Sequence, residues 1–276
     1  MVGSINSTNT NDGAYRALSS TRAQSAALQQ AQKRLQTGLR VADAADDAST
    51  FAVAQGVRGD LQAFGAVQSS LANGAGLGAV TQAAIGQVSE LSNRLQERLT
   101  QLSDGAISAE QRTIYSADVQ ALTGQIQTTI SQAAFNGRNL LEAGAAGTSF
   151  VADTSGRAIG VAGQGQVGTG AATLAGTIDT STAANAQASL GALQNFRDTL
   201  GQAAANNAAD TRALVNQAGL NNSVSDALTA GLGALVDADI GAAAAQSSAR
   251  QAGRQLAFSS LALANSQPSA LLGLTR

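Results

Sequence analysis

Apolar residues recur along most of the chain at spacings of three and four, the period that gathers them on one face of a helix. Tyr15, Leu18, Leu28, Leu35 and Leu39 form a shallow first stripe over about 14–38. Phe51, Leu61, Phe64, Leu71, Ile85, Val88, Leu91, Leu95, Leu99 and Leu102 form a second over about 47–102. Unbroken, that segment would run roughly 80 Å at about 1.5 Å per residue, too long for a compact domain, so an elongated molecule is expected. Gly74, Gly76 and Gly78 weaken its middle. Ser103-Asp104-Gly105 is expected to close it, with the glycine in the left-handed cap conformation. Ser108-Ala-Glu-Gln111 then matches a capping box, and Tyr115, Val119, Leu122, Ile126 and Ile130 give the following helix, about 108–133, one apolar edge.

The pattern changes between 136 and 176, where ten of the thirty glycines fall. Phe135-Asn136-Gly137 turns the chain, and helix is not expected beyond it. Ser149–Ala152 and Arg157–Val161 flank turn residues Asp153–Gly156 and read as a β-hairpin; the remainder to Thr182 reads as loop with a short strand or two. Helical spacing resumes near 185, with a seam at Leu193, Phe196, Leu200, Ala203, Asn207, Asp210, Leu214, Gln217, Asn221, Val224, Leu228 and Leu235 that mostly alternates three and four, a coiled-coil period. A final Ala-rich helix, about 240–265, passes through Ile240, Leu256, Leu261 and Leu263 before Pro268 and the tail.

Two polar joints interrupt the helices. In the first, Gly38 lowers helix propensity by about 1 kcal/mol relative to Ala, and Asp43, Asp46 and Asp47 suit the start of a new helix, where carboxylates accept orphan backbone N–H bonds. Asp237 and Asp239 mark the second. The two ends mirror each other. Folding the chain at its middle would lay the C-terminal helices antiparallel along the N-terminal ones and align 40–47 with 235–240, with both termini at one end of a rod. The expected fold is therefore mainly α: an elongated rod of long antiparallel coiled-coil-like helices with a small β-hairpin region mid-chain.

Composition narrows the function. Hydrophobic residues make up 44% of the chain, but much of this is Ala, aromatics are 3% and Trp is absent, which suits thin helical seams better than a thick core. A net charge of −2, with fifteen Arg and the single lysine Lys33, offers no surplus for nucleic acid. The lack of His and Cys removes the commonest general base, thiol nucleophiles and nearly all structural zinc sets, so neither an enzyme nor a cofactor is expected. The cluster at Asp43, Asp46 and Asp47 lacks the alternating oxygen ligands of a calcium loop and reads as capping chemistry. Gly74-Ala-Gly-Leu-Gly78 does not follow a strand, so close helix packing is preferred over phosphate binding. The first thirteen residues lack a cationic and an apolar signal region, and no run reaches membrane-spanning length, which by these rules leaves a cytosolic protein or one exported without a cleaved signal peptide.

With both ends read, the chain resembles bacterial flagellin, in its shorter alphaproteobacterial form, over about 14–142 and 190–276. The resemblance is carried by Leu39-Arg-Val41 followed by Asp46-Asp47-Ala48, Phe51-Ala-Val-Ala54, Phe135-Asn-Gly137 with Leu140-Leu141, Leu235-Val-Asp-Ala-Asp-Ile240, and Ala264-Asn265 with Pro268, Leu272, Leu274 and Arg276. The closing Leu272-Gly-Leu-Thr-Arg276 departs from the family's usual Leu-Ser-Leu-Leu-Arg or Leu-Ser-Leu-Phe-Arg ending.

The resemblance implies a subunit that polymerises into the flagellar filament, an extracellular propeller. Residues 1–45 and 236–276 would form the inner tube, and 46–235 the next shell with the β-hairpin region at about 136–184, without a large outer domain. It implies assembly contacts at Leu28, Leu35, Leu39, Arg40, Leu261, Leu263, Leu271, Leu272 and Leu274. The implied partners are further copies of the chain, flagellar cap and hook-associated proteins, an export chaperone and the type III export apparatus, with neither nucleic acid nor membrane. It also implies ends that order on assembly. Burying each tail leucine contributes about 1.5–3 kcal/mol, while ordering the eight tail residues costs about 1–2 kcal/mol each. Some family members are recognised by a vertebrate innate-immune receptor through an Arg-x-x-Glu-Leu cluster; here Arg94-Leu-Gln-Glu97-Arg98 keeps Arg94 and Glu97 but replaces the Leu, and weak recognition is expected. Two competing readings are a hook–filament junction protein, which shares the terminal architecture, and an amphipathic membrane-surface protein, for which one Lys and six Phe are poor support.

Overall fold

The computed structural model describes the backbone of residues 11–274 and the side chains of 11–266. In order, the elements are α1 (Asp12–Thr37), α2 (Ala48–Leu102), α3 (Ala109–Gln132), β1 (Ala134–Phe135), β2 (Arg138–Asn139), β3 (Thr148–Val151), β4 (Ala158–Val161), α4 (Gln166–Thr177), α5 (Ala183–Val236) and α6 (Ile240–Leu274). The fold is mainly α, with two small antiparallel strand pairs. Contacts divide the chain into an end unit, made of residues through Gly59 and from Ala227, and a middle unit, Asp60–Asp226.

In the end unit α1 lies antiparallel to α6. The Asn11 side chain donates to the Ala264 carbonyl at 2.7 Å, Arg250 donates to Gln24, and Leu39 forms a β-bridge with Asp237. Small buried residues, Ala17, Thr21 and Ala31, accompany Leu28 along the buried face of α1 and allow a close approach. Asn11 caps α1 by accepting from the Ala14 N–H at 2.9 Å, and Gly38 ends it in the left-handed region with φ 70°.

The middle unit holds two cores. One gathers Leu95, Leu99 and Leu102, Val119, Ile126 and Ile130, Val167 and Leu174, and Leu193, Phe196 and Leu200. The other seats the β3–β4 hairpin, with Phe150 and Ile159 packed on Val67, Leu71, Leu77 and Leu214. The hairpin pairs Thr148 with Val161 and Val151 with Ala158. The three glycines in α2 are notches: a Cβ at Gly74 would lie 2.8 Å from the Phe150 ring, one at Gly76 2.9 Å from the Phe135 ring, and one at Gly78 would collide with the Thr211 hydroxyl.

Four expectations are corrected. Residues 166–177, expected to be loop, form α4, because Val167, Ala171 and Leu174 share one buried face whose packing outweighs the low helix propensity of three internal glycines. Gly105 is not left-handed. The end of α2 is instead satisfied by Arg112, which donates to the Leu102 carbonyl at 2.9 Å and the Asp104 carbonyl at 3.3 Å. The last helix does not stop before Pro268 but runs to Leu274. The seam of α5 also shifts after Asn221: Val224 and Leu235 are exposed while Val236 is buried, since a period of 3.6 drifts from a strict 3.5 repeat.

Candidate assembly surface and joint

At the joint two extended segments meet. The Arg40 N–H donates to the Val236 carbonyl at 2.7 Å, the Ala238 N–H to the Gly38 carbonyl at 2.9 Å, and the Arg40 guanidinium to the Leu235 carbonyl. Beneath them Val41, Ala54 and Val236 form a small core, joined by the partly buried Leu39, Phe51 and Leu232.

The five aspartates of the joint regions divide their work. Asp47 is the N-cap of α2: Oδ1 accepts from the Ser49 and Thr50 N–H groups at 3.1 Å each, and both hydroxyls also donate to its carboxylate. The Thr50 and Ser49 hydroxyls hold its pKa down to about 2. Asp239 caps α6 by accepting from the Ala242 N–H at 2.9 Å. Asp237 carries the bridge to Leu39. Asp43 and Asp46 shape the turn before α2, Asp43 Oδ1 accepting from Ala45 N–H at 2.9 Å and Asp46 Oδ2 from Ala42 N–H at 3.0 Å. Both also accept from the Lys33 ammonium, at 2.6 and 2.8 Å. That ammonium is the leading cause of the lowered pKa of each, and the Asp43 and Asp46 carboxylates in turn raise that of Lys33. Pattern reading missed this contact, because Lys33 and its partners lie ten and thirteen residues apart across a helix end.

The assembly candidates differ in exposure. Leu28 is buried, at 3%, within the end unit; Leu35, Leu39 and Leu261 are half-buried; Arg40 and Leu263 are exposed. The side chains of Leu271, Leu272 and Leu274 lie outside the described residues. Besides Leu263, exposed at 65%, the end unit leaves Tyr15 exposed at 67%, Leu256 at 72% and Phe258 at 52%. Tyr15 and Leu256 stood in the stripes read from sequence and Phe258 did not; spacing alone does not say which face of a helix lacks a partner.

Arg94 and Glu97 are exposed on α2, lining with Asp118, Leu122 and Gln125 a shallow groove of about 370 Å³. Arg98, in the position that departs from the immune-recognition cluster, is held by Asp118 at 3.2 Å and lies 5.5 Å from the centre of the Tyr115 ring. No helix among the described residues is long and apolar enough to cross a membrane.

Comparison with known proteins agrees along the whole chain. The family model for the bacterial flagellin N-terminal helical region matches residues 8–146. Flagellin FljN of Caulobacter vibrioides is 30% identical, with 99% of each chain covered. A flagellin of Brucella melitensis is also 30% identical, covering 97% of this chain and 98% of that one. Among solved structures, the crystal structure of Bacillus cereus flagellin aligns at a TM-score of 0.49 and 18% identity, covering 55% of this chain and 88% of that one.

Proposed function

The chain belongs to the bacterial flagellins and is a structural subunit that polymerises with copies of itself into the extracellular flagellar filament; from that premise we propose that the end unit supplies the inner tube of the filament and the middle unit the shell around it. The observation that carries this reading is the set of large apolar side chains that the end unit leaves in water, among them Tyr15, Leu256, Phe258 and Leu263. A pair of packed helices has no second layer with which to cover them. Neighbouring subunits cover them through heterologous contacts that repeat without closing, the geometry that yields a helical polymer. Complete burial of each of these side chains contributes about 1.5–3 kcal/mol.

Within this reading Leu28 acts by holding α1 in place, whereas Leu35, Leu39, Arg40, Leu261, Leu263, Leu271, Leu272 and Leu274 meet neighbouring subunits. The five aspartates set the angle at which the ends leave the joint. The export chaperone, the type III apparatus, the cap and the hook-associated proteins complete the proposed set of partners, with export that needs no cleaved signal peptide. Recognition by the innate-immune receptor is weak, because Arg98 puts a paired cation where the cluster has an apolar side chain. The hook–filament junction reading is not favoured, since the whole-chain relatives described above are flagellins.

The test is deletion of residues 269–276. The truncated chain is expected to give no filaments by electron microscopy while the middle unit keeps its helix content by circular dichroism. Filaments of normal length from the truncated chain overturn the proposal.

A further inference from the structure

Lys33 is the single lysine in a chain with fifteen arginines, and it sits on the last turns of α1 with its ammonium 2.6 Å from Asp43 Oδ2 and 2.8 Å from Asp46 Oδ2. The contact spans the break between α1 and α2. On one side is a helix that ends at Gly38; on the other is a turn whose backbone N–H groups, at Ala42, Asp43, Ala45 and Asp46, are directed at the same two carboxylates. Of the other charged groups around the joint, Arg40 donates to the Leu235 carbonyl, Asp47 accepts from Ser49 and Thr50, and Asp239 accepts from the first turn of α6. The residue type suits the task. An ammonium is a compact charge with three donors that can serve two carboxylates in different directions, while a guanidinium fork matches one carboxylate at a time.

We propose that Lys33 is an electrostatic latch: its ammonium draws the Asp43–Asp46 turn against the end of α1, and so fixes the direction in which the N-terminal helix leaves the joint for assembly. Lys33 is a positioning residue. It need touch no neighbouring subunit, and its loss is felt first in the turn and only then in the filament. The inference rests on the reading of the ends as the assembling part, and its test separates the two.

Amide hydrogen exchange is followed at 42–46 in filaments of the wild-type, Lys33→Met and Lys33→Arg chains, with the amides of α3 as an internal reference. The Met variant keeps the apolar stem and removes the charge. Its 42–46 amides are expected to exchange about two- to fivefold faster than wild type, the range for exposed ion pairs, with α3 unchanged. In 0.5 M salt the difference shrinks, and the Arg variant falls between the two. Loss of filaments in the Met chain alone, with the Arg chain assembling, also supports the latch. Equal exchange in wild-type and Met filaments overturns the latch and leaves the inner-tube reading standing. Failure of both variants to assemble overturns it as well, because a change that keeps the charge would then be as damaging as one that removes it. An effect of equal size in α3 counts against it, since that is general destabilisation.

Discussion

Asp47 shows how much one side chain can settle. Its carboxylate accepts from two backbone N–H groups and two hydroxyls at the first turn of α2, and these bonds hold its pKa near 2. A carboxylate whose folded pKa is depressed stabilises the fold fully above its ordinary value of 3.8, and that contribution fades as pH falls through the folded value. Asp43 and Asp46 are shifted the same way, and Lys33 oppositely, so its contribution is full below 10.5 and fades as pH rises through its raised folded value. The joint is therefore expected to be tightest between these limits and to loosen in acid below about pH 4. Replacing Asp47 with Ala should reproduce the acid effect at neutral pH. Amide exchange at Ser49 and Thr50, corrected for the intrinsic rate, should rise several-fold while α3 is unaffected; an unchanged rate would show that the cap does not hold this turn.

Among the elements, what could be read from sequence was what depends on near neighbours. The capping box at Ser108 and Gln111 forms with both reciprocal bonds, and the β3–β4 hairpin lies where turn residues separate two β-rich runs. The polar centre of the α5 seam was visible, but not its reason. Asn207 donates to the Gly78 carbonyl, Asp210 accepts from Ala162 N–H, and Gln217 and Asn221 both donate to the Ala152 carbonyl. These partners lie 48 to 129 residues away, beyond any local pattern. The helix α4 was hidden for a related reason: its glycines argue against helix until the backbone of 141–143 is seen to pass directly over Gly168. A Cβ at Gly168 would meet the Ala143 N–H group and the Leu141 carbonyl, neither of which can step aside as a flexible side chain can. Gly168→Ala should accordingly destabilise the monomer by about 1–3 kcal/mol. Gly124, inside α3 with nothing near its missing Cβ, should behave in the opposite sense, Gly124→Ala stabilising by about 0.5–1 kcal/mol. Urea denaturation of the two variants checks both signs at once.

At the scale of the whole molecule, the chain is an incomplete object by design of its sequence. Its aromatics are few and its leucines are spread in narrow stripes, so the middle unit closes two cores, while the end unit has only a small one at Val41, Ala54 and Val236 and leaves Tyr15, Leu256, Phe258 and Leu263 in water. That imbalance is poor economy for a monomer and fitting for a filament subunit, because copies of the same chain can bury what the monomer leaves open. The most direct measurement is electron microscopy of the chain carrying Leu256→Ser, Phe258→Ser and Leu263→Ser together, under conditions in which the wild-type chain polymerises. All three side chains are more than half exposed, so the monomer should keep its helix content by circular dichroism. No filaments are expected; filaments of wild-type length and number from this variant would contradict the assembly role of these side chains.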